Sequence, residues 1–280
     1  MNCQDFLQAY LAGERDFSEQ DLAAIDLRQA DVPDLRLVEA DLTAAQCQGA
    51  NLRGSNFSEA WLSGTNFEAA FLQGSDFSLA DLQEANLSYA KLDLSTLTGV
   101  DLREGQLIVT HCSGCDLGGA NLQGAILIGA KLMGATLCGA NLTGANFSRT
   151  YLYDADLRLA TLDDASFGGC LYNAQTQFPE TFDPQDHDAY LIAPGVALPH
   201  TILSGMYLAN VDLAHANLMG TNFQWANLTG ANLQGANLTD ADLSYSNLSG
   251  ANLQDAQLQN ANLLDAMLVG ATLPDGKLHS

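Results

Sequence analysis

Large apolar side chains recur at every fifth position along this chain. From Phe17 the series runs through Leu22, Leu27, Val32 and Leu37 without a slip to Tyr172, 32 consecutive positions, and a second series from Leu203 to Leu278 supplies 16 more. Leu or Phe fills 44 of these 48 positions, the exceptions being Val32, Cys47, Cys112 and Tyr172. Two residues before most of them stands a small one, commonly Ala (Ala40, Ala50, Ala60, Ala120, Ala130, Ala231, Ala236), and the position between them is usually Asn or Asp. A helix turns about 100° per residue, so steps of five spread apolar residues around the whole cylinder and leave no helical face. In an extended segment residues two apart share a side, so Ala-Asn-Leu sends Ala and Leu inward and Asn outward. The next two residues must turn a corner. Gly recurs at the second of them (Gly54, Gly64, Gly74, Gly134, Gly220, Gly230, Gly235), where a turn needing positive φ favours a residue without Cβ. The pattern predicts an all-β coil of short straight pieces joined by corners.

The unit A-[N/D]-L-x-x, written out at Ala50-Asn51-Leu52, Ala120-Asn121-Leu122, Ala231-Asn232-Leu233 and Ala251-Asn252-Leu253, resembles the pentapeptide-repeat family. That resemblance implies a right-handed quadrilateral β-helix, a solenoid with four repeats per square coil. An echo at twenty residues, Phe57 to Phe77 and Phe147 to Phe167, agrees with it. The repeats then divide into a first block over 15–172, about 8 coils, and a second over 201–280, about 4, or about 12 in all.

Residues 1–14 depart from the period. Phe6, Leu7, Tyr10 and Leu11 fall on one helical face before Gly13, which predicts a short helix covering the first coil. Residues 173–200 also depart, hold four of the six prolines and shift the phase by one, which marks an insertion. Its Thr176-Gln177-Phe178-Pro179 and Phe182-Asp183-Pro184 resemble a segment that recurs among cyanobacterial members of the family. Its aromatic residues favour packing on the coils over projecting into water. The C-terminus ends on a repeat with no amphipathic cover. Two solutions stand there: a homodimer stacked through the C-terminal coil, as in some family members, or an edge blunted by Pro274 and the tail.

The chain carries 33 acidic and 10 basic residues, a net charge of -23, which disfavours nucleic acid and anionic membranes as direct partners and favours a basic or dipolar protein. No apolar run approaches the length of a membrane span, and Met1-Asn2-Cys3-Gln4-Asp5 lacks a basic start, so the expected location is cytoplasmic. The six cysteines, scattered over a long chain, are expected as reduced thiols. His111-Cys112-Ser113-Gly114-Cys115 has metal-ligand spacing but no second pair; Cys112 takes a Leu slot and Cys115 an Ala slot, both inward. Asp183 to Asp188 matches no calcium loop. Asp and Asn recur by rule on the outer ladder, so no carboxylate pair stands apart for acid-base work. No catalytic residue, metal or cofactor is expected.

One outward column differs from the others when the first block is folded at twenty residues. The fourth wall reads Asp31, Asn51, Phe71, Lys91, His111, Lys131, Tyr151, Leu171, while the other three keep mostly short polar residues apart from Arg36, Trp61 and Ile126. Aromatic residues and cations on an otherwise acidic surface suit a protein-binding strip, and Phe71, Lys91, His111, Lys131, Tyr151 and Tyr153 are its candidate residues. The function expected is a non-enzymatic interaction scaffold or regulatory binding protein. The alternative, implied by the family resemblance and the charge, is a DNA mimic that occupies the DNA-binding groove of a type II topoisomerase such as gyrase.

Overall fold

The computed structural model describes residues 1–279 and divides the chain into two compact units, 1–189 and the remainder from Tyr190. In the first unit, single-residue parallel bridges join each outward residue to the one twenty places on: Asp16 to Arg36, Arg36 to Asn56, Asn56 to Asp76, and likewise along the other three walls. The chain is therefore a β-solenoid that returns above itself every four five-residue units. Amides of both inward and outward residues tie neighbouring coils, with Leu22 N–H donating to Asp41 O at 2.7 Å and Asp41 N–H donating back to Gln20 O at 3.0 Å. Each corner closes on itself, as where Ile25 N–H donates to Leu22 O at 3.0 Å.

The second corner residue sits in the left-handed region in every coil. Gly54 has φ 65° and Gly64 φ 62°, but Glu19 at φ 60° and Ala24 at φ 53° hold the same shape. The coil imposes the conformation; Gly accepts it without a steric cost. Inside, the five-spaced Leu and Phe are almost wholly buried. Phe57 and Phe77, one coil apart, stack at 4.7 Å, and Phe67 meets both edge-on at 6.0 and 6.1 Å. Where Ser or Thr replaces the inward Ala, its hydroxyl finds a backbone carbonyl, commonly on the coil before: Thr65 Oγ1 donates to Leu42 O at 2.7 Å and Thr110 Oγ1 to Leu87 O at 2.6 Å, whereas Ser246 Oγ donates to Leu243 O at 2.7 Å within its own corner. Burial of these polar atoms is thereby compensated.

Helix α1, Cys3–Leu11, covers the first coil. Asn2 caps it by accepting from Asp5 N–H, Gly13 follows at φ 103°, and the Phe6 ring lies 4.4 Å from Phe17. Of the expected apolar face only Phe6 is fully buried; Leu11 is exposed, because the helix ends where the chain turns away into the first repeat.

The bridge ladder runs beyond the apolar series. Asp156 bridges to Gln177, one residue out of phase, and Thr176 Oγ1 donates to Leu152 O at 2.7 Å as its counterparts do in regular coils. Phe178 and Phe182 then pack on Phe167, at 6.2 and 5.0 Å, so this part of the interruption lies against the coils. Asp183 caps a 3-10 turn, Pro184–His187, accepting from Gln185 N–H at 2.9 Å.

The second unit repeats the same register, beginning at Ala197, which bridges to Asn217, with Leu198 already in an inward slot. The segment 173–200 is thus shorter as an interruption than its broken spacing implied. Interior leucines from Leu203 to Leu253 are fully buried, whereas Leu258, Leu263, Leu268 and Leu273 are half-buried. Leu278, placed inside by the apolar series, is 73% exposed: the chain reverses after Pro274, and Thr272 bridges antiparallel to Leu278.

Candidate functional site

The fourth wall of the first unit is continuous as a ladder. Bridges run Asp31, Asn51, Phe71, Lys91, His111, Lys131, Tyr151, Leu171, so these side chains stand one above another. Backbone bonds fix their spacing: Leu92 N–H donates to His111 O at 2.6 Å and His111 N–H to Ala90 O at 2.9 Å. Successive residues in such a column lie about 4.8 Å apart, close enough for direct side-chain contact.

Two cations converge on the Phe71 ring, with Arg53 Cζ 4.5 Å and Lys91 Nζ 5.0 Å from its centre. Ordered below them, Arg53 donates to Asn51 Oδ1 at 3.0 Å and Asn51 donates to Asp31 Oδ1 at 2.6 Å. Lys91 is exposed, and Phe71, His111 and Lys131 are half-buried. Burial pushes the His111 imidazole below its ordinary pKa; Lys131 and Lys91 push the same way and Asp93 opposes. The wall therefore favours the neutral imidazole of His111 between Lys91 and Lys131.

The upper end of the column departs from expectation. Tyr151 is buried, and so is Leu171, so the outward slot there is covered and Tyr151 offers no face to a partner. Tyr153, at the adjoining corner, has its hydroxyl buried without a hydrogen-bond partner, and burial beside Tyr151 and Cys170 pushes its phenol well up. Of the six candidate residues, Phe71, Lys91, His111 and Lys131 remain together on accessible wall; Tyr151 and Tyr153 do not join them.

Behind His111, Cys112 and Cys115 are joined in a disulfide with Cα atoms 5.3 Å apart. This corrects the expectation of six reduced thiols: an inward Leu slot and the next inward Ala slot face each other across one corner, which places two cysteines within bonding reach. Cys47 is a buried free thiol, its pKa pushed up to about 12 by burial. Among the described residues no three His, Cys, Asp or Glu side chains gather as a metal set, and no helix is long and apolar enough to cross a membrane.

The sequence comparison agrees with the coil. A model of pentapeptide repeats matches in eight copies over residues 21–58, 60–99, 106–144, 130–169, 201–235 and 236–273. No curated protein matches. Among solved structures, HetL, a pentapeptide repeat protein involved in heterocyst differentiation regulation from the cyanobacterium Nostoc sp. strain PCC 7120, is 32% identical over 100% of both chains, with a TM-score of 0.31. QnrB1, a plasmid-mediated fluoroquinolone resistance protein, is 16% identical over 63% of this chain and 90% of its own, with a TM-score of 0.39. The pentapeptide repeat protein alr5209 of Nostoc PCC 7120 is 23% identical over 68% of this chain and 97% of its own, with a TM-score of 0.19. The family assignment rests on the repeats themselves and on the full-length identity to HetL: this chain belongs to the pentapeptide repeat proteins.

Proposed function

We propose that this protein is a non-enzymatic, cytoplasmic scaffold that holds a protein partner against the accessible part of its fourth wall. The observation that carries the reading is the column Phe71, Lys91, His111, Lys131, an aromatic and cationic strip in a chain of net charge -23. Such a column presents a flat, rigid face whose side chains are pre-placed by the coil, which lowers the ordering cost of binding. The coils of this reading wind right-handed, about 8 in the first unit and about 4 in the second. A regulatory role, as described for HetL, suits a protein that acts by binding.

The test replaces Lys91 and Lys131 together by Glu. Capture of the partner from the native organism should be lost while the chain still unfolds in one cooperative transition, since both side chains stand outside the core; retained capture overturns the proposal.

A second reading, mimicry of DNA toward a type II topoisomerase, draws support from acidic columns such as Asp21 above Asp41 and Asp81 above Asp101. It predicts that the protein inhibits gyrase supercoiling, or protects gyrase from a drug, with an effect that fades as salt rises. The scaffold reading predicts no effect on supercoiling. A homodimer through the C-terminal coil is a separable part of either reading, supported by the half-buried Leu258 and Leu263, and a light-scattering mass of one chain removes it.

A further inference from the structure

The cations of the fourth wall adjoin an apolar corner. Four stretches stack in register where the third wall turns into the fourth, 86–93, 106–113, 126–133 and 146–153, tied by bridges from Asn86 through Gln106 and Ile126 to Asn146 and from Lys91 through His111 and Lys131 to Tyr151. Asp93 is the one acidic residue in the four, in a chain that has 33, and its Oδ1 is engaged by Ser113 N–H at 3.1 Å; together the stretches carry Lys91, His111, Lys131 and Arg149. The same stretches place apolar groups where other coils place polar ones. Tyr89 and Val109 hold the corner at 54% and 37% exposure. Ile108 and Ile128 flank it half-buried, and Ile126 fills an outward slot between Gln106 and Asn146.

Val109 marks the corner in a second way. Its φ is 54°, and among the described residues it is the one β-branched side chain in the left-handed region, in a column where Gly129 follows at φ 67°. A β-branched residue is the least suited to that conformation. Strained backbone retained on an exposed surface points to a use for the side chain.

We infer that this acid-poor corner receives an acidic, amphipathic segment of a partner protein, its carboxylates set against Lys91, Lys131 and Arg149 and its aliphatic or aromatic side chains against Ile108, Val109 and Ile126. The inference rests on the fourth-wall reading and adds the partner's chemistry to it. Charge selects this occupant. A broadly basic partner gains most on the acidic walls and least here, while a broadly acidic one is repelled by the chain as a whole. A local acidic segment on a protein of mixed charge gains only at this corner, since its repulsion by the other walls is screened beyond about 8 Å at physiological salt.

The probe is a library of random short peptides selected on the immobilised full-length chain, followed by anisotropy titration of the selected peptides. The expected result is a set of net-negative peptides rich in Leu, Phe or Trp. Their Kd should rise at least about tenfold both in Lys91→Glu with Lys131→Glu and in Ile108→Ser with Ile126→Ser. Val109→Gly, which relieves strain instead of adding it, should weaken binding without lowering the melting temperature, so that loss of fold cannot imitate the result. Net-positive peptides, or affinity indifferent to the isoleucine pair, overturn the inference. Should the lysine pair matter and the isoleucine pair not, the fourth-wall reading stands and this inference falls; should neither matter, or no peptide be selected, both fall.

Discussion

His111 shows how one side chain reports the character of its wall. Its pKa is lowered by burial first, then by Lys131, with Asp93 opposing and Lys91 assisting. A proton-observed titration of the histidines should therefore find His111 below the ordinary histidine value, and Lys131→Gln should move it part of the way back, since burial is the larger cause. The unfolded chain binds this proton more readily than the folded one. The stability the group contributes is present above the unfolded histidine pKa, about 6.5, and is lost as pH falls through that value toward the lowered folded one. A His111 pKa at or above the ordinary value would refute the account of the wall. Val109 allows a second prediction. Left-handed backbone costs an L-residue about 1–2 kcal/mol, and Gly loses roughly 0.5–1 kcal/mol more than Ala on ordering. Val109→Gly should then stabilise the chain by up to about 1 kcal/mol in urea unfolding, whereas destabilisation would show that Val109 is held by packing rather than strained.

At the scale of elements the repeat was legible because five-residue spacing admits one solution: inward slots two apart, an outward slot between them, and a corner. The same logic found helix α1, which interrupts the period with a helical face and a Gly stop. Its limit was the helix end, where Leu11 lies outside because tertiary direction, absent from the pattern, turns the chain away. The interruption was legible as a slip in phase but its ends were not, since Gln177 and Ala197 keep their bridges and are followed by Phe178 and Leu198 as in a regular repeat. Leu278 erred in the opposite sense, carrying the right side chain where Pro274 and the tail reverse the strand. Tyr151 and Tyr153 were misplaced because burial of an outward slot depends on what lies over the wall. Helix α1 also carries a prediction. Phe6 is fully buried and meets Phe17 at 4.4 Å, so Phe6→Ala should cost about 3–5 kcal/mol in urea unfolding. It should also expose the first coil, measurable as concentration-dependent light scattering. An unchanged midpoint would mean that the helix is not the cover of that end.

Over the whole molecule two electrostatic effects compete, and their sizes decide the response to salt. On the favourable side stand local pairs within single repeats. Arg28 donates to Asp26 and holds its carboxyl down to about 2, and Arg158 donates to Asp156 and holds it low as well. Their pairs lie at the surface, with side-chain exposures of 60% and 49% for Arg28 and Asp26, where solvent screening leaves little net stabilisation. On the unfavourable side stands a net charge of -23, arranged partly in stacked columns such as Asp21 above Asp41. Like charges about 4.8 Å apart repel at short range, and the excess of one sign adds a repulsion that no pair removes. Raising sodium chloride from about 0.01 to about 0.1 M shortens the screening length from roughly 30 to 10 Å, which weakens the many long-range repulsions far more than the few contacts at hydrogen-bond distance. The melting temperature at neutral pH should therefore rise with salt over this range. Acid should act differently: the depressed carboxylates contribute stability above the unfolded value of 3.8, and that contribution disappears as pH falls through the folded values toward about 2. A melting temperature that falls with added salt at neutral pH would show that the paired carboxylates, not the net charge, dominate the electrostatics of this chain.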